Sequence, residues 1–163
     1  MKRIISPRRL AAVSACIGAL APLAAGTATA NASPSAVTRT FSFIAKPNSK
    51  TGVVVNFNSL LINARCDSSG RPIIFAFTSA GSADIFGRIF DGYGRVHIFK
   101  NTSFTNKTKG IQLSPLSGDF DATGSVLFST STGKVVTVNI AFDNSTTFGR
   151  QNVCTVFGSF IAT

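Results

Sequence analysis

The chain contains no glutamate and no tryptophan, and only one histidine, one tyrosine and one methionine. These gaps remove most of the usual equipment for catalysis. A single His97 cannot build a multi-histidine metal site, and a serine–histidine–aspartate triad would have to form around it with no marked serine. A glycosidase needs two carboxylates in one cleft, and both would have to come from Asp67, Asp84, Asp91, Asp119, Asp121 and Asp143. There is no G-x-S-x-G elbow, no H-E-x-x-H pair, no P-loop and no G-x-G-x-x-G fingerprint. A lectin that stacks sugars is disfavoured, because flat aromatics with a polar handle are missing and the fifteen phenylalanines suit a core. The expectation is a protein that binds rather than one that catalyses.

Long apolar runs are also scarce. The main one, residues 10–25, is rich in alanine and follows Lys2, Arg3, Arg8 and Arg9. Two small-x-small sites come next, Ala28-Thr29-Ala30 and Ala30-Asn31-Ala32. That order is the pattern of a secretory signal peptide, so residues 1–32 (or 1–30) are expected to be removed on export, leaving 33–163 as a single β domain. Pro22 and the early end of the run argue against a retained transmembrane segment. Val13-Ser14-Ala15-Cys16 matches a lipoprotein signal, but Cys16 follows Arg9 too closely for a normal apolar region to precede it. Arg8-Arg9 leaves twin-arginine export open beside the general secretory route. The alanine-rich leader resembles those of small secreted proteins from high-GC Gram-positive bacteria. That resemblance implies an extracellular bacterial protein and no particular activity.

Loss of the leader takes Cys16 with it and leaves Cys66 and Cys154 as a pair. In an exported chain they are expected to form one disulfide, closing a loop of about 90 residues. The competing use of either thiol, activation by His97, is the less economical reading. The formal charge is +10 at pH 7, of which four positive charges lie in the leader. What remains is basic without dense Lys/Arg clustering, so nucleic acid is not expected. An unidentified protein or an anionic envelope polymer is the expected partner.

After the leader, apolar residues recur at period two in short runs broken by Gly, Asn, Asp, Ser and Pro, with Phe, Val, Ile and Thr dominant. No segment of helical length shows a 3.6 period. The pattern predicts strands over 38–45, 52–58, 60–66, 72–79, 83–90, 95–101, 111–113, 125–131, 134–142 and 153–162. Such a chain should fold as an all-β antiparallel sandwich or closed barrel of about 8–10 short strands with one disulfide. Ser131-Thr132-Gly133-Lys134 reads as a hairpin turn with Ser131 opposite Lys134, which puts Leu127 on one face with Val136, Val138 and Ile140.

Two stretches stand out as candidate sites. In 83–101, a turn at Asp91-Gly92-Tyr93-Gly94 of two or four residues would pair Phe90 with Arg95 and Arg88 with His97. One face would then hold Ile85, Ile89, Val96 and Ile98 as core. The other would carry Phe86, Arg88, Phe90, Arg95, His97 and Phe99, with Tyr93 at the tip: a basic-aromatic binding surface. The second stretch, Asp119-Phe120-Asp121-Ala122-Thr123-Gly124, resembles the start of a calcium loop, with Asp119 and Asp121 as ligands. Thr130 stands where a bidentate glutamate would be needed, so an Asp/Gly turn with no cofactor is preferred. The combined expectation is an exported, non-enzymatic β-sandwich acting by protein or cell-envelope interaction. The alternative is a cell-wall-directed hydrolase or a calcium-dependent binding module.

Overall fold

The period-two runs become ten strands: β1 Val37–Ala45, β2 Gly52–Phe57, β3 Leu60–Cys66, β4 Pro72–Thr78, β5 Ala83–Asp91, β6 Val96–Phe104, β7 Ile111–Gln112, β8 Ala122–Thr130, β9 Val135–Asp143 and β10 Cys154–Ala162. They are seen in a computed structural model that describes residues 35–115, 121–144 and 153–163. All the described residues belong to one unit, Ser33–Thr163. Among them there is no helix long and apolar enough to cross a membrane.

The strands form two antiparallel sheets, one of six in the order β1-β10-β9-β8-β5-β6 and one of four in the order β2-β3-β4-β7. This is a sandwich, not a closed barrel. The inner faces meet through the alternation that defines each strand. Ile62, Ala64, Ile74 and Ala76 come from the small sheet, and Ile85, Ile89, Val126, Phe128, Val136, Val138, Ile140 and Phe142 from the large one. Phe104 and Phe128 pack edge to face with centroids 6.3 Å apart, a favoured aromatic geometry. Cys66 on β3 and Cys154 on β10 form the expected disulfide and tie the two sheets together from a fully buried position.

Three hairpins share one turn. In each, the residue before the loop donates its backbone N–H to the carbonyl of the residue after it: Asp67 to Arg71, Asp91 to Arg95 and Thr130 to Lys134. Each loop holds three residues, and the last, Gly70, Gly94 or Gly133, has φ between 77° and 82°. This left-handed position is where glycine escapes the Cβ penalty, as in three-residue hairpins with a glycine bulge. Asp67-Ser68-Ser69-Gly70-Arg71, Asp91-Gly92-Tyr93-Gly94-Arg95 and Thr130-Ser131-Thr132-Gly133-Lys134 are therefore a local repeat that the composition of the loops disguises.

The odd loop length corrects both registers expected from even loops. Phe90 lies opposite Val96, Ile89 opposite His97, Arg88 opposite Ile98 and Gly87 opposite Phe99. In the β8–β9 hairpin, Phe128 lies opposite Val136 and Leu127 opposite Thr137. A one-residue slip moves every side chain of a strand to the other face. Val96 and Ile98, expected in the core, face outward with Leu127, while His97 and Phe99 turn inward.

Candidate functional site

The outer face of the six-stranded sheet is built by the alternate positions that the core does not use. In β5 these are Phe86, Arg88 and Phe90, in β6 Val96, Ile98 and Lys100, and in β8 Thr123, Ser125 and Leu127. Phe157 and Ile161 of β10 and Ile44 of β1 complete the face. Eight large apolar side chains are thus between 37% and 59% exposed on one side of one sheet: Ile44, Phe86, Phe90, Val96, Ile98, Leu127, Phe157 and Ile161. On the outer side of the four-stranded sheet, Val53 alone among the described residues reaches comparable exposure. Large contiguous apolar patches are uncommon on the surface of a monomeric domain, which makes this face the candidate site.

Of the residues singled out from sequence, the structure brings together Phe86, Arg88 and Phe90. It adds Ile98 beside Arg88 and Val96 beside Phe90. His97 is half-buried on the inner side against Phe99, with ring centroids 5.9 Å apart. Phe99, 9% exposed, lies with its ring over Gly87. Arg95 does not sit over Phe90. Its Nε donates to Asp91 Oδ2 at 2.7 Å, and its guanidinium stacks over the Tyr93 ring at 5.3 Å. Tyr93, 75% exposed, stands at the hairpin tip as expected.

Asp119 lies outside the described residues. Asp121 precedes β8 and accepts the Asn144 backbone N–H at 3.3 Å. Ala122, Thr123 and Gly124, read from sequence as part of a possible cation loop, are strand residues paired with Asp91, Phe90 and Ile89. Among the described residues there is no group of three His, Cys, Asp or Glu side chains placed to hold a metal ion.

A trough crosses this outer face at right angles to the strands. Its floor is the backbone of Gly124, Ile140 and Gly158, which lie side by side in β8, β9 and β10. One bank is Ser125, Asn139 and Ser159; the other is Phe90, Thr123, Ala141 and Phe157. The space over it measures about 740 Å³ and is largely open to solvent. Past Phe90 and Phe157 it opens into a smaller hollow of about 320 Å³ bordered by Asp91, Gly92, Asp121 and Asp143. Sequence reasoning missed Ser125, Asn139, Phe157 and Ser159. The alternation within β8, β9 and β10 was the available signal, but β8 and β9 agree on a face only once the three-residue loop between them is recognised.

No family model, curated protein or solved structure matches the chain. Its function must be argued from this geometry.

The Asp–Arg turns set one measurable property. Burial raises the carboxyl pKa of Asp67 and Asp91, but the hydrogen bonds and the positive charge of Arg71 and Arg95 outweigh it. Both are held below the ordinary value of 3.8. Asp91, kept ionised beside Arg95, is therefore no general acid near neutral pH. A depressed folded pKa adds stability above the unfolded value and loses it as pH falls through the folded one. The double variant Asp67→Asn, Asp91→Asn should flatten the acid limb of a stability profile as pH falls through and below the ordinary carboxyl value of 3.8. Denaturant titrations across that range check this, and an unchanged acid limb would count against the turns as its source.

Proposed function

We propose that the protein is an exported, non-enzymatic binding module that attaches to a cell-envelope or protein partner through the outer face of its six-stranded sheet. The observation that carries this reading is the exposure of eight large apolar side chains on that face. Exposed Arg88 and Lys100 lie on the same face and supply a basic margin to the apolar ground. Export is supported by the leader pattern and by the Cys66–Cys154 bond, since such bonds persist in oxidising compartments. The scarcity of acid–base side chains favours binding over turnover.

The test is capture of the purified protein by envelope material of the producing cells. The triple variant Phe86→Ser, Ile98→Thr, Leu127→Ser changes only exposed positions and should keep the wild-type melting temperature. It should lose about tenfold or more of its retention, as truncation of several interface anchors does. Full retention by this variant would overturn the assignment of the face.

A further inference from the structure

Along β5 the outward positions read Asp84, Phe86, Arg88 and Phe90, all exposed. Asp84 and Arg88 flank Phe86 symmetrically, each about 6.6 Å from it along the strand and so about 13 Å from one another. That is too far to pair within one chain. Neither has an ion pair or a side-chain hydrogen bond among the described residues. Phe86 also begins an apolar row that runs across the sheet. Leu127 of β8 lies opposite it, followed by Thr137 of β9 and Ile161 of β10. Phe86, Leu127 and Ile161 are between 40% and 46% exposed.

This pattern is complementary to itself. A two-fold axis laid along the row, in the plane of the face, sets the apolar row of one copy on the same row of a second. It also brings Asp84 of each copy opposite Arg88 of the other. An axis running along the strands does not do this. It sets Arg88 against positions in its own row, Ser125, Asn139, Ser159 and Thr40, none of them acidic. A guanidinium desolvated there would lack a counter-charge, which is costly. Among the described outward positions near the row, Lys100 carries the remaining charge. It lies on the edge strand β6, from which its ammonium can reach water past the rim. Centred on Phe86, two copies overlap over roughly 20 Å of strand length and roughly 29 Å of sheet width, or about 1,200 Å² for both together. That is the lower end of the range for specific interfaces and fits a reversible dimer. Sheets packed face to face, their strands nearly aligned, are a common way to bury such surfaces.

We infer that the protein forms a two-fold dimer through the outer face of its six-stranded sheet, with the axis over Phe86 and reciprocal Asp84–Arg88 pairs between the copies. This rests on the outer face being the docking surface and names a second copy of the chain as its protein partner. Phe86, Leu127 and Ile161 form the apolar centre of the contact, and the charge pairs fix its register. Phe90 and Val96, toward the other end of the strands, lie beyond the overlap.

The experiment is sedimentation of the purified protein over a range of concentrations, in which a reversible dimer is expected. Asp84→Lys and Arg88→Glu change exposed positions and should keep the wild-type melting temperature. Each should weaken the dimer about tenfold or more, because each sets like charges against one another. Mixed in equal amounts, the two variants should associate about tenfold more tightly than either alone, since every charge pair in the mixed dimer is again opposite in sign. The chain carrying both substitutions should dimerise as the wild type does, and it replaces a single variant that melts early. A wild type that stays monomeric at every concentration overturns the inference. So does a dimer that neither single variant weakens, or a mixture no tighter than its parts, because the contact then lies elsewhere. If no dimer forms while Phe86→Ser, Ile98→Thr, Leu127→Ser still loses envelope capture, the dimer falls and the docking face stands. If that triple variant keeps full capture and stays dimeric, both fall. If it turns monomeric yet keeps full capture, the dimer stands and the face serves it alone.

Discussion

Replacing both bridging cysteines, Cys66→Ala with Cys154→Ala, is expected to destabilise the domain by about 2–5 kcal/mol, the usual loss for a native disulfide in a small secreted domain. The sequence separation is 88 residues, a long loop whose closure restricts the unfolded chain strongly. Its placement adds to the effect. Cys66 ends β3 in the small sheet and Cys154 begins β10 in the large one, so the bond joins layers otherwise held together chiefly by apolar packing. Alanine is preferred to serine because both sites are fully buried, and a serine hydroxyl there would add its own desolvation cost. For a domain of this length the loss corresponds to a fall in melting temperature of roughly 7–18 °C. Thermal melts of the wild type with and without reductant, beside the double variant, measure it. Coincident melts for all three would show that the bond contributes nothing.

The second large effect is expected at Gly87. A Cβ built there would lie 1.9 Å from Cζ of Phe99, with two further atoms of the same ring within 2.6 Å. Phe99 is part of the core cluster, so displacing its ring disturbs the packing around it. Gly87→Ala should therefore cost about 3 kcal/mol, the upper range for overpacking a well-filled core. The smaller, more adaptable side chain of Phe99→Leu should recover part of that loss in the double variant, giving a coupling above about 1 kcal/mol in a double-mutant cycle. Denaturant unfolding of the four proteins measures the coupling. The result also tests the register. If Ile98 rather than Phe99 lay opposite Gly87, the two substitutions would act on opposite faces and their effects would simply add.

The strands were legible because their signal is local. Alternating Phe, Val and Ile, with Gly, Asn and Asp between runs, required strands wherever apolar faces had to be buried, and each expected strand has a counterpart. The ends were less legible. β6 runs on to Phe104 through residues that look like polar loop, because Phe104 pairs with Ala83 and enters the core. β8 begins at Ala122, inside the stretch that resembles a calcium loop, because pairing with Asp91 extends the ladder that far.

The candidate site was half legible. Phe86, Arg88 and Phe90 share a face whatever their neighbour does, since they alternate within one strand. Which residues of β6 join them depends on the loop, and the same ambiguity concealed Leu127 in the β8–β9 hairpin. Asp91 decides the first case: its Oδ1 accepts the backbone N–H groups of Tyr93 and Arg95, and its Oδ2 accepts Arg95 Nε, which closes a three-residue loop. The same bonds around Asp67 show that D-x-x-G-R carries this turn wherever it occurs in the chain.

The sequence by itself determined that the chain is all-β and where its strands lie, because alternation and turn residues act locally; the Cys66–Cys154 pairing followed from it only on the expectation that Cys16 leaves with the leader. Only the tertiary structure decided that six strands form one sheet and four the other, that β10 lies between β1 and β9, and that the trough floor is assembled from Gly124, Ile140 and Gly158. These are pairings between residues distant in sequence, chosen by how two sheets bury their faces together. A single residue in a turn settles which side of a strand is left for a partner.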